Sequence, residues 1–118
     1  MANAARSTKV TLINYTEKKL RKVESRLLHG IWTTEPPRKV DPHDTAQWES
    51  ESNGIMTGTE GWVEYEVGND TEVARIHWNN PYIGKNTYSH SEPAGVQIEY
   101  KGGVGDNASV TFSIRALQ

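Results

Sequence analysis

The chain has 118 residues, enough for one domain and too few for two ordinary ones. Apolar residues make up 35 % and charged residues 24 %, with a net charge of −2 and no cysteine. That excludes disulfides, thiolate chemistry and cysteine-based zinc sites, and no apolar run approaches the ~20 residues of a transmembrane helix.

Charge is unevenly placed. Residues 1–40 carry nine Lys/Arg against three Asp/Glu, and the remainder four against twelve. That balance is not the uniformly basic one of a nucleic-acid binder; it leaves open a basic strip on an acidic body, or two segments that interleave in the fold and neutralise each other, and no nucleic-acid partner is expected. Residues 1–6 lack the apolar stretch of a secretory signal. The expectation is a soluble protein without a signal peptide, cytoplasmic on synthesis or released by a non-classical route. The ten aromatics are four Trp, five Tyr and one Phe. Trp and Tyr combine a large apolar body with a polar handle and favour half-wet positions.

In chain order, residues 7–16 (STKVTLINYT) are rich in Val, Ile, Thr and Tyr and predict a strand. Residues 17–29 are ambiguous. Leu20, Val23, Leu27 and Leu28 form a helical stripe beside five basic residues, while two strand faces fit less well. Pattern alone slightly favours the helix. Trp32 is followed by Pro36-Pro37, which breaks any element. Residues 45–52 predict a strand with Ala46 and Trp48 inward. Asn53-Gly54 and residues 57–61 supply turn chemistry. Residues 62–67 place Val63, Tyr65 and Val67 on one face, and Trp62, Glu64 and Glu66 on the other.

Gly68-Asn69-Asp70 predicts a hairpin turn. Residues 71–78 then place Ala74, Ile76 and Trp78 inward, with Arg75 and His77 outward. Residues 79–84 read as an irregular loop. Residues 95–101 put Val96, Ile98 and Tyr100 on one face, and residues 102–107 turn the chain. Residues 108–115 put Val110, Phe112 and Ile114 inward. Short alternating strands of six to eight residues between Gly, Pro and Asn turns predict an all-β, single-domain antiparallel β-sandwich over residues 1–118.

Catalytic patterns are absent. His29, His43, His77 and His90 have no metal-ligand spacing, so no metal is expected. Ser89-His90-Ser91 cannot form a triad by itself, because adjacent strand residues face opposite ways. There is no G-x-S-x-G. The glycine run 102–105 lacks a following Lys-Ser/Thr and a helix, so it predicts a hairpin connection. Glu64 and Glu66 read as a solvated face. The Asn-x-Ser/Thr sequons at Asn14, Asn69 and Asn107 are expected to stay unmodified without a signal peptide. The chain is expected to be no enzyme and to need no cofactor. What remains is a set of aromatics beside polar residues, suited to a lipid headgroup or a sugar.

Residues 51–65, ESNGIMTGTEGWVEY, and 79–89, NNPYIGKNTYS, are similar to the aegerolysin family, nearest to its small bacterial insecticidal crystal-protein branch. The Gly-Gly-x-Gly turn and the final Val-Thr-Phe-Ser-Ile strand add to the likeness, which is strong from about 49 to 115. The resemblance implies an actinoporin-like β-sandwich, and makes residues 17–29 a strand. It implies binding to membrane lipids, sphingolipid with or without sterol, and pore formation with a larger protein partner. The expected lipid contacts are the aromatics Trp32, Trp62, Tyr82 and Tyr88, with Glu60, Asn80 and Lys85 as polar contacts. The alternative is a carbohydrate-binding lectin on the same sandwich.

Overall fold

The computed structural model describes residues 5–69 and 72–117. Ten strands run in chain order: β1 Ser7–Asn14, β2 Leu20–His29, β3 Ile31–Thr34, β4 Lys39–Val40, β5 Thr45–Glu51, β6 Thr59–Val67, β7 Val73–Asn80, β8 Thr87–Ser91, β9 Val96–Gly102 and β10 Asn107–Ala116. They form two five-stranded sheets, ordered β3-β5-β1-β10-β9 and β4-β2-β6-β7-β8. The sandwich expected from alternation is therefore present, with one departure from an antiparallel plan. β1 and β10 are parallel neighbours, Ser7 opposite Asn107 and Asn14 opposite Ile114.

Alternation explains the layering. Along β6 every second residue from Thr59 to Val67 is buried, while Glu60, Trp62, Glu64 and Glu66 stay half-exposed on the outer face. β5, β7 and β10 repeat the pattern. Their inward side chains meet in one core whose largest fully buried members are Trp48, Trp78, Tyr65 and Phe112. The Trp48 and Trp78 rings lie 5.9 Å apart, and Trp32 adds a third ring 5.9 Å from Trp78. Polar handles are placed unequally. Trp78 Nε1 donates to Ser50 Oγ at 3.0 Å and the Tyr65 hydroxyl to the Pro37 carbonyl at 2.7 Å. Trp48 Nε1 has no partner among the described residues, at a cost of about 1–3 kcal/mol.

Residues 20–29 form a strand, and the structure shows why their pattern looked helical. The β2–β6 register shifts between Lys22 and Glu24 and again between Leu27 and His29. Val23 and Leu28, two members of the helical stripe, are the unpaired bulge residues, and both are exposed. A bulge inserts one residue and breaks the period of two. The stripe was thus two bulges, with Leu20 the one residue fully in the core.

Other expectations shift at their edges. Trp32 does not sit in a break: it lies in β3, paired with Ser50 of β5. Residues 59–61 open β6 and Asn79 and Asn80 close β7, where turn and loop were expected. β2 and β10 have ten residues and β6 nine, longer than the six to eight expected. Tyr100 shares its strand with buried Val96 and Ile98 but remains exposed. Asp70 of the expected hairpin turn, and Thr71 of the strand and sequon there, lie outside the described residues. Among the described residues no helix is long and apolar enough to cross a membrane.

Candidate lipid-binding end

Strand register gathers a set of corners at one end of the sandwich. Ser7 of β1 faces Glu51 of β5 and Asn107 of β10, Ile31 also faces Glu51, and Thr59 faces Asn80. The 52–58, 81–86 and 103–106 loops and the Gly30 corner therefore lie together. Of the eleven large hydrophobics exposed among the described residues, six sit here: Ile31, Ile55, Met56, Tyr82, Ile83 and Val104. Ile55, Ile83 and Val104 are 89 %, 83 % and 86 % exposed, close to free side chains in water. Isolated exposed apolar residues need no explanation, but apolar tips on three neighbouring loops make this end a candidate interaction surface.

The loops are braced from beneath. Asn80 is 1 % exposed, and its Nδ2 donates to the Ser7 carbonyl at 3.0 Å and the Asp106 carbonyl at 2.8 Å. Asn86 Nδ2 donates to the carbonyls of Gly103 and Gly105, and the Tyr88 hydroxyl to Gly103 at 2.8 Å. Burial pushes the Tyr88 phenol above the ordinary tyrosine value, which keeps it a donor in alkaline solution. Gly103 has φ +87, and a Cβ there would lie 2.5 Å from the Tyr88 ring, so the two positions are matched. A Cβ on Gly58 would lie 2.4 Å from the Asn80 carbonyl, which explains the glycine between the 52–58 loop and β6.

Tyr82 divides two shallow grooves. One, of about 330 Å³, is lined by Arg6, Tyr82, Lys85, Val104 and Asp106 among others. Arg6 lies 5.0 Å from the Tyr82 ring centroid, donates to the Tyr82 carbonyl and pairs with Asp106 at 3.5 Å. Lys85 is exposed. The other groove, of about 420 Å³, is lined by His29, Met56, Glu60 and Tyr82 among others. Glu60 is held by His77 Nε2 at 2.8 Å, with His29 Nε2 at 4.0 Å. With Nε2 donating to Glu60, His77 Nδ1 is left to accept from Ser89 Oγ at 3.3 Å. One groove thus offers cations and the next a carboxylate, with an aromatic ring between. Both volumes lie near the ~300 Å³ lower bound of small-ligand pockets. Among the described residues no group of three or more His, Asp or Glu could hold a metal.

The chain's similarities can be set beside this geometry. The family model described as Aegerolysin matches residues 6–115.

The chain belongs to the aegerolysin family.

An uncharacterised protein of Dictyostelium discoideum is 32 % identical over 117 residues. That match covers 96 % of this chain but only 11 % of the relative, so this aegerolysin chain spans about a ninth of the curated protein it matches. Among solved structures, the lipid binding protein Nakanori superposes with a TM-score of 0.86 at 12 % identity, over 95 % of this chain and 72 % of Nakanori. IP-1A from Alcaligenes faecalis superposes with a TM-score of 0.75 at 13 % identity, over 98 % and 94 %. At such identities the likeness is one of fold, and it extends to the whole aegerolysin sandwich.

The seven residues expected from sequence separate in space. Tyr82 and Lys85 stand on the 81–86 loop, and Glu60 lines the adjoining groove. Asn80 is buried with its amide engaged by backbone, so it shapes the end instead of facing a ligand. Trp32 packs against Trp78, and Tyr88 packs tilted against Tyr100 and edge-on against Phe112, with ring centroids 5.5 and 6.3 Å away. Trp62 lies on the outer face of the second sheet, across from Arg26 and His77, under the Arg75 guanidinium at 4.2 Å. Sequence reading missed Arg6 and the aliphatic tips Ile55, Met56, Ile83 and Val104. The available signal was an unpartnered apolar residue inside each Gly-rich turn.

Proposed function

We propose that this chain is a non-enzymatic membrane-lipid-binding protein that docks through its loop end. The observation that carries the reading is the convergence of exposed Ile55, Ile83 and Val104 beside two grooves of opposite charge. Immersing three such tips contributes about 5–8 kcal/mol. That alone corresponds to reversible attachment between roughly the micromolar and submillimolar ranges. Headgroup contacts then add selectivity. A zwitterionic phosphate–ammonium headgroup fits the pair of grooves: phosphate against Arg6 and Lys85, the ammonium over Tyr82 and beside Glu60. Sphingolipids, with or without sterol, carry this chemistry, and the family resemblance points the same way. In this reading Tyr82, Lys85 and Glu60 are contacts, while Asn80, Tyr88 and Trp32 hold the loops and Trp62 lies off the docking end.

We further propose that the chain is the lipid-recognising component of a two-component pore, recruiting a larger pore-forming protein. Strand length does not argue against a solo pore, since β2, β6 and β10 reach the ~9–11 residues that a tilted barrel strand needs. Core burial does. Freeing β6 or β10 would expose Val63, Tyr65 and Val67, or Val110, Phe112 and Ile114, all fully buried. Sedimentation with vesicles of phosphatidylcholine, sphingomyelin, ceramide phosphoethanolamine and their sterol mixtures tests the lipid reading. Binding to at least one sphingolipid surface is expected, and absence of binding to all of them overturns it.

A further inference from the structure

The outer face of the first sheet carries a trench along the flank of the sandwich. Its floor is β10, where Thr111 and Ser113 present short hydroxyl side chains. Longer residues rise on both sides. Ile13 of β1 stands across from Ser113, and Tyr15 follows just beyond the strand. Glu99 of β9 faces Ser113, and Lys101 faces Thr111. Arg115 closes one end, its guanidinium stacked 4.1 Å from the Tyr15 ring centroid. The volume is about 200 Å³, below the ~300 Å³ at which pockets for drug-sized ligands begin. A terminal residue of a larger molecule suits it better than a whole small ligand.

Most of its polar groups are uncommitted. Glu99 accepts one hydrogen bond, from Gln97 Nε2 at 3.0 Å. Among the described residues, the side chains of Arg115, Lys101, Thr111 and Ser113 and the Tyr15 hydroxyl have no hydrogen-bonding or ionic partner. The Arg115 stack is therefore a cation oriented by an aromatic face and not neutralised by a carboxylate. A planar guanidinium held in that way keeps its paired donors aimed and available, the arrangement that takes a carboxylate or sulfate bidentately. Two cations face one carboxylate, so the trench attracts an anion. Ile13 and the Tyr15 ring add an apolar wall for the C–H face of a sugar ring, and the floor hydroxyls match sugar hydroxyls. A hydrocarbon chain would meet a polar floor and two unpaired cations.

We infer that this trench is a binding site for an acidic saccharide, a glycan terminus bearing a carboxylate or sulfate. The assignment is independent of the lipid-docking reading. The site runs along the flank from Thr111 to Arg115, four to eight residues along β10 from Asn107 at the loop end, about 13 to 26 Å at ~3.3 Å per residue. With the loop end on a bilayer, the first sugar of a short glycolipid cannot reach Arg115. Long glycans standing off the surface can.

The test uses the whole chain against 3′-sialyllactose, a sulfated heparin-derived disaccharide and neutral lactose by calorimetry, and against an array of longer acidic and neutral glycans. Acidic probes are expected to bind and lactose not to. Arg115→Gln, at an exposed position, should weaken the acidic probes about tenfold or more, as loss of a charge-assisted contact does. Binding to sphingomyelin vesicles should stay unchanged in that variant. Ile83→Asp should show the reverse, weak vesicle binding with intact glycan binding. Ser113→Trp, which fills the trench, gives a second variant should the first misfold. Equal binding of lactose, no acidic probe bound by the parent chain, or indifference to both trench variants would overturn the assignment.

Discussion

Replacing Ile83 by Ala probes the docking end where the structure is most specific. The residue is 83 % exposed, follows Tyr82 at the tip of the 81–86 loop, and precedes Gly84, around which there is open space. The change removes three carbons from a side chain that makes little contact in the free protein. At about 0.8 kcal/mol per buried CH₂, full immersion of those carbons would contribute roughly 2.4 kcal/mol. Scaling by the exposed fraction leaves about 2 kcal/mol, close to a thirtyfold loss of affinity. Stability should move by no more than about 0.5 kcal/mol, because nothing in the fold leans on the tip. Equilibrium sedimentation with sphingomyelin–sterol vesicles, alongside a thermal melt, measures both quantities. Binding within threefold of the parent chain would refute docking through this loop. A large fall in melting temperature would instead show that Ile83 packs, and the reasoning from exposure would fail.

Asn80→Ala should leave the Ser7 and Asp106 carbonyls without their side-chain donor and cost about 2 kcal/mol, a melting shift near 10 °C, with vesicle binding weakened as the loops loosen. A melt within 2 °C would show that the bridge carries no load. Burial pushes the Tyr65 phenol well above its ordinary value, so the unfolded chain gives up this proton near pH 10 while the native one keeps it. This contribution is present in full below pH 10 and falls as pH rises above it, by up to about 1.4 kcal/mol per unit, and urea titrations of Tyr65→Phe at pH 9 to 11.5 should lose that slope. Trp62→Ala, under Arg75 and away from the tips, should cost about 1 kcal/mol in stability and leave vesicle binding within threefold. A tenfold loss of binding at constant melting temperature would return Trp62 to the interface. Dye release by the chain alone should stay near zero on vesicles that it binds, and efficient release without a partner would show that a core strand can leave the sandwich.

The inward faces were legible because alternation is a local property. Val63, Tyr65 and Val67, or Ala74, Ile76 and Trp78, point together whatever the sheet order. β2 was harder because its two bulges reset the period, and only the family likeness turned residues 17–29 into a strand. The parallel β1–β10 pair could not be read at all, since no local pattern encodes which distant strand lies alongside. Site expectations followed aromatic identity, and aromatic identity is a weak guide to exposure. Trp32 and Tyr88 have their rings spent on packing, while aliphatic Ile55, Ile83 and Val104 occupy the tips because short turns have no core to hide them in. Asn80 looked like a ligand contact for the same reason that it is a good brace: one short amide can donate twice.

Because β1 and β10 run the same way, the chain enters the sandwich at one pole and leaves at the other. Ser7 lies with the apolar tips, and Ala116 lies at the opposite extremity of a body 44 Å long. Attachments to the two ends are therefore not equivalent. A fluorophore or affinity handle joined ahead of Ser7 would crowd the proposed bilayer contact, whereas one joined after Ala116 would stand away from it. The same polarity suits a module within a longer polypeptide, in which following sequence would be projected away from the proposed docking end.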